Sequence, residues 1–159
     1  LPGLIECHVV SIQGNIRQAF DEKTLPAVYP DPLDPTDLFG RIRETAAANP
    51  EAIESLDGLR IVHQQGYASV STKMVEAFRD WRKSMALTQS ALPQKFQSYR
   101  KSMREWRDGR WLLNKALIDD AVVLLDSSAK EQTATLVEAY RQKHDALKSR
   151  AARDSYPGP

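Results

Sequence analysis

The stretch PQKFQSYRKSMREWRDGRWLLNKALIDDAVVLL, residues 93–125, decides the fold class. Within it Phe96, Tyr99, Met103, Trp106, Arg110, Leu113 and Leu117 recur in alternating steps of three and four. An α-helix turns about 100° per residue, so this spacing puts all seven on one face. The pattern predicts a heptad seam with a single arginine, Arg110, at a seam position. A buried guanidinium needs a carboxylate partner. Asp119 and Asp120 lie too far along the same helix to supply it, so Arg110 is expected to snorkel at the bundle end unless another segment brings an acid.

A second stripe on this helix holds Arg100, Arg104, Arg107 and Trp111, about 100° round from the seam. Further along, the same stripe becomes Ile118, Val122 and Leu125. The first half of the helix is therefore expected to bury one face and project from the bundle with its arginines open. The second half is expected to bury two faces and form the bundle centre.

Pro93 bounds this segment on its N-terminal side. Before it, Met74, Phe78, Trp81 and Met85 form one narrow stripe, continuing Leu59, Val62, Gly66 and Val70 at helical spacing. The stripe reads as core, because Met and Trp bury readily. Residues 58–90 are expected to be helical, broken or kinked near Gly66 and the Ser69, Ser71 and Thr72 cluster. Downstream, Asp126-Ser127-Ser128 reads as a turn, and Ser128 with Glu131 fits a capping box. Leu136, Tyr140, Leu147 and Ala151 mark the last helix.

Upstream, Pro26, Pro30, Pro32 and Pro35 exclude a regular helix over residues 25–35, since proline lacks the amide donor. Asp34-Pro35 reads as a helix start with Asp34 as N-cap, and Asn49-Pro50 as a second start. That second helix is expected to be short and to end at Asp57-Gly58. Ile5, Val9, Ile12, Ile16 and Phe20 predict an amphipathic helix over residues 4–24. The fold class expected is all-α: an antiparallel bundle of three long C-terminal helices with shorter N-terminal helices packed against it. Residues 1–35 would be an N-terminal helix and proline-rich connector, 36–155 the bundle, and 156–159 a linker tail.

The chain has 159 residues, 42% hydrophobic and 27% charged, an ordinary composition for a globular domain. The proline- and glycine-rich ends read as linker, as in a fragment or processed product. No apolar run is long enough to span a membrane, though peripheral contact with an anionic membrane stays open. The single cysteine, Cys7, excludes an internal disulfide framework. Together with the lack of a signal-peptide pattern, it makes the cytoplasm the default location. Cys7-His8, His63 and His144 show no paired metal-ligand spacing, and no phosphate loop or nucleophile motif occurs. Neither a cofactor nor a catalytic residue is expected. The adjacent Asp119 and Asp120 point about 100° apart and form no shared acid–base site on their own.

Charge is unevenly placed behind a formal net of +1. Residues 1–72 carry net −5, residues 73–115 net +7, and residues 116–159 net −1. The basic third also contains Trp81, Trp106 and Trp111, all three tryptophans. Such asymmetry points to an anionic partner, outside the chain or within it. Arginine forks grip carboxylate or phosphate with two parallel bonds, and an interleaved tryptophan can stack on a base. The candidate anion-binding residues are Arg79, Arg82, Lys83, Arg100, Lys101, Arg104, Arg107 and Trp111. The function expected is a non-enzymatic helical interaction module that binds an acidic protein segment or a nucleic-acid backbone. The alternative is a self-assembling subunit, a filament or coat protein, whose acidic N-terminal third meets the basic centre of a neighbouring copy.

Overall fold

The computed structural model describes residues 31–85 and 92–154. The expected helix over residues 4–24, most of the proline connector and the tail 156–159 lie outside the described residues. Four α-helices make up the described chain: α1 (Thr36–Thr45), α2 (Pro50–Met85), α3 (Leu92–Val123) and α4 (Ser127–Asp154). No strand occurs among the described residues.

Local chemistry explains most of the helix starts. The Asp34 carboxylate accepts the Thr36 amide at 2.9 Å and the Thr36 hydroxyl at 2.6 Å, closing the turn into α1. The Pro35 carbonyl accepts the Phe39 amide, so the helix begins one residue later than the Asp34 N-cap reading. Asn49 caps α2: its side-chain oxygen accepts the Ala52 amide at 3.2 Å, with Pro50 in the first turn, where a missing N–H costs nothing. At α4 the sequence reading needs correction. Asp126, not Ser128, is the cap, its carboxylate accepting the Ala129 amide at 2.8 Å. Asp and Ser cap equally well, and Asp126 stands three residues before the first orphan amide it can reach.

The short helix expected to end at Asp57-Gly58, and the break near Gly66, are both absent. α2 runs unbroken through both, 36 residues or about 54 Å. No glycine among the described residues has a positive φ. At Gly66 the missing side chain lets α3 approach closely: a Cβ there would sit 3.5 Å from Leu113. The glycine is thus a contact point rather than a stop.

α2 and α3 run antiparallel along most of their lengths. His63 faces Asn114, Tyr67 faces Arg110, Met74 packs with Met103, and Trp81 packs with Phe96. α4 folds back on α3 from the other end, with Arg141 on Asp119 and His144 on Trp111. The long helices are therefore not three mutually packed rods. α3 is shared by α2 and α4, which scarcely meet each other. α1 packs on α3 and α4 instead.

Residues 31–35 form a strap across all three long helices. The Leu33 carbonyl accepts from Asn114 of α3 at 3.0 Å and from the Tyr140 hydroxyl of α4 at 3.1 Å. His63 of α2 then donates to the Asn114 side-chain oxygen at 2.8 Å. The strap also answers the Arg110 question. The side chain is 7% exposed and pairs with Asp31 at 2.6 Å, so it does not snorkel; the proline connector brings the acid.

The core divides in two. Leu38, Phe39, Ile42, Leu56, Ile118, Ala121, Leu125 and Val137 form a four-helix head. Met74 and Met103, both fully buried, centre a smaller cluster between α2 and α3, with Phe78, Tyr99 and Trp106 partly buried around it. This second cluster is the base of a two-helix arm. No helix among the described residues is long and apolar enough to cross a membrane.

Candidate anion-binding arm

The arm is set by how far α4 reaches. At 28 residues α4 is about 42 Å long. The Trp111–His144 contact fixes its antiparallel register, which brings its end at Asp154 level with about Lys101 of α3. Beyond that level α2 and α3 continue as a pair.

Aromatic rings hold the pair together. Trp81 stacks on Tyr99, ring centres 5.4 Å apart and planes 13° from parallel, and lies 5.1 Å from Phe96. Two guanidinium groups sit over this aromatic surface, Arg100 over Phe96 at 5.5 Å and Arg82 over Phe78 at 6.0 Å. Cations in such positions gain from the ring quadrupole, about 0.5–1 kcal/mol each at exposed sites.

The eight candidate residues separate into two environments. Lys83, Lys101 and Arg104 are exposed, and Arg79, Arg82 and Arg100 half-buried, all on the arm. Lys83 lies 3.8 Å from Asp80 and Lys101 lies 4.0 Å from Glu105, loose exposed pairs of little energetic weight. A shallow groove runs along α3 past Gln97, Arg100, Lys101, Arg104, Glu105 and Asp108. Arg107 and Trp111 do not belong to this open surface. Arg107 is buried, bonded through Nε and an Nη to Asp108 at 2.9 Å. Trp111 is 1% exposed and meets the His144 ring edge-on at 5.1 Å. The stripe that a helical wheel treats as uniform is covered by α4 from Arg107 onward, a full three turns before Ile118.

Two polar clusters fasten α4 and α1 in place. Asp119 accepts from Lys115 at 2.6 Å and from Arg141 at 2.8 Å. Burial alone would raise this carboxyl; the bonds from Lys115 and Arg141 outweigh it and hold it below the usual carboxylate range. Asp57 is likewise lowered by its hydrogen bonds from Arg43, which tie α1 to α2. The Tyr140 hydroxyl is pushed up, chiefly by burial and then by the nearby carboxylates Asp34 and Asp119, and stays a neutral donor to the strap.

Sequence reasoning missed the strap contacts and the buried His144, whose Nε2 donates to the Trp111 carbonyl at 2.9 Å. Each joins residues far apart in the chain, and only the proline content of the connector hinted at an extended segment. Among the described residues no group of three His, Cys, Asp or Glu is placed to hold a metal ion. By class, then, the described residues make an all-α fold with a four-helix head and a two-helix arm rich in cations and aromatic rings. No protein-family model, curated protein or solved structure matches it.

Proposed function

We propose that the protein is a non-enzymatic helical interaction module whose arm holds an acidic partner segment. The observation that carries this reading is the concentration of Arg79, Arg82, Lys83, Arg100, Lys101 and Arg104 on α2 and α3 at and beyond the end of α4, with Lys83, Lys101 and Arg104 exposed. Continuous helices fix the spacing of these groups, so little backbone order is lost on binding. The stacked Trp81 and Tyr99 offer the kind of rigid aromatic surface that anchors interfaces.

The interleaved acids favour an acidic protein over a nucleic-acid backbone. Glu105 and Asp108 line the same groove as Arg100, Lys101 and Arg104. A phosphate backbone places a charge about every 3.4 Å along each strand and would meet both signs, whereas an acidic peptide can space its carboxylates to match. A net charge of +1 also gives little long-range pull on a polyanion.

The test is fluorescence anisotropy with a labelled polyglutamate peptide, set against a DNA duplex of equal charge. The peptide is expected to bind more tightly, and Lys83→Glu, Lys101→Glu and Arg104→Glu together to weaken it at least tenfold with helicity unchanged. Unaltered peptide binding in that variant would refute the arm as the binding surface.

A further inference from the structure

The fold sorts charge along its long axis in a way that no single stretch of sequence displays. Residues 31–60 carry seven acidic and three basic side chains. Residues 110–141 carry five acidic and four basic, Arg110 and Lys115 being the partners of Asp31 and Asp119, and antiparallel packing brings them to the same end. Together these segments make the head net −5. At the other end, residues 73–108 carry nine basic and four acidic side chains, Asp108 being the partner of Arg107, and residues 142–154, folded back beside the base of that arm, four basic and two acidic. That end is net +7.

The two ends of one molecule cannot neutralise each other. Glu54 and Arg79 stand on the same unbroken helix, about 37 Å apart. That is several Debye lengths at physiological salt, where screening acts over about 8 Å. The acids of the head are available: Glu44, Glu51, Glu54, Asp120 and Glu131 are exposed and form no ion pair among the described residues. Exposed apolar groups accompany the charges at each end. Val123, between Asp120 and Asp126, is 71% exposed, and Phe96 on the arm 38%.

We infer that the acidic partner of the arm is the head of a second copy of this chain, docked head to tail. This rests on the reading of the arm as an anion-binding surface and names its occupant. The two ends are of opposite sign and comparable size, −5 against +7, on surfaces present in equal amount. The contact joins two different patches, so it does not close on itself as a twofold dimer does; it repeats into an open chain unless the rotation between copies closes a ring. Contacts of this kind are steered by long-range attraction and weaken as salt rises.

The experiment is sedimentation of the full chain over a concentration series, at low salt and at high salt. Average mass is expected to climb with concentration at low salt and to fall to the 17.9 kDa monomer at high salt. Two charge-reversed variants follow: Lys83→Glu, Lys95→Glu and Lys101→Glu on the arm, and Glu51→Lys, Glu54→Lys and Asp120→Lys on the head. These side chains are exposed, so both variants should keep their helicity. Each alone is expected to stay monomeric, and an equimolar mixture to associate again, the reversed arm now matching the reversed head. A monomer at every concentration, or an oligomer that neither reversal dissociates, would overturn the inference. Polyglutamate binding separates the two levels. A monomeric chain that binds the peptide through its arm removes only the self-docking, whereas peptide binding indifferent to arm reversal removes the arm reading as well.

Discussion

Replacing Trp111 with alanine tests the point where helical-wheel reasoning and packing part company. On the wheel Trp111 belongs to the arginine stripe and would contact a partner. In the fold it is 1% exposed beneath α4, edge-on to His144. A buried tryptophan removes about 150–250 Å² from contact with water. At about 25 cal/mol per Å² that is roughly 4–6 kcal/mol of transfer free energy, an upper bound because the unfolded chain already hides part of it. The lost aromatic contact adds about 0.5–1.5 kcal/mol, and partial collapse of the cavity returns some of the total. The net expectation is about 3–5 kcal/mol, as for large aromatic truncations elsewhere. In a domain of this size that lowers the melting midpoint by roughly 6–20 °C. The assay is urea unfolding followed by circular dichroism at 222 nm, with polyglutamate binding measured on the same preparation at a temperature where the variant is folded. Trp106→Ala serves as the comparison. Trp106 is only partly buried, on the edge of the Met74–Met103 cluster, and should cost about 1–2 kcal/mol. If Trp111→Ala leaves the urea midpoint unchanged and weakens peptide binding instead, α4 does not cover the stripe and the argument from packing fails.

Three further outcomes test separate parts of the fold. Gly58→Ala should stabilise by about 0.5–1 kcal/mol, because α2 is continuous there and a Cβ meets nothing within 4 Å; a loss in thermal midpoint would mean the helix ends at Gly58 after all. Asp126→Ala should cost about 1 kcal/mol in denaturant unfolding by removing the α4 cap, while Ser128→Ala should cost almost nothing; the reverse order would restore Ser128 as the cap. Asp119, with its pKa below the unfolded value, contributes stability that is fully present above about pH 4 and disappears as pH falls through the lowered folded value. Asp119→Asn should therefore flatten the acid limb of the stability–pH profile; an unchanged limb would show that Lys115 and Arg141 do not act on this carboxylate.

Several features are legible in the chain of residues itself. The helical seam from Phe96 to Leu117 follows from spacing alone, because side chains three and four apart share a helix face whatever they pack against. The starts at Asp34-Pro35 and Asn49-Pro50 are readable for a similar reason: the chemistry of a cap lies within four residues. The arginine face of residues 100–104 and the two-sided burial at Ile118 and Leu125 also follow from the wheel. Local signals mislead where tertiary contact outweighs them. Gly58 and Gly66 look like stops, yet a helix 36 residues long tolerates each at about 1 kcal/mol when packing along α3 supplies far more.

The sequence thus determined that the described residues are helical and where α1, α2 and α4 start to within a residue or two, since periodicity, capping and proline act locally. Tertiary structure alone decided which faces meet. It placed Asp31 beside Arg110, 79 residues away. It laid α4 back over Arg107 and Trp111, turning half of an apparent binding stripe into interior. It also gathered two acidic segments at one end and two basic segments at the other. Charge composition can be counted along a chain, but a separation of charge in space exists only once antiparallel helices fix which counts add together.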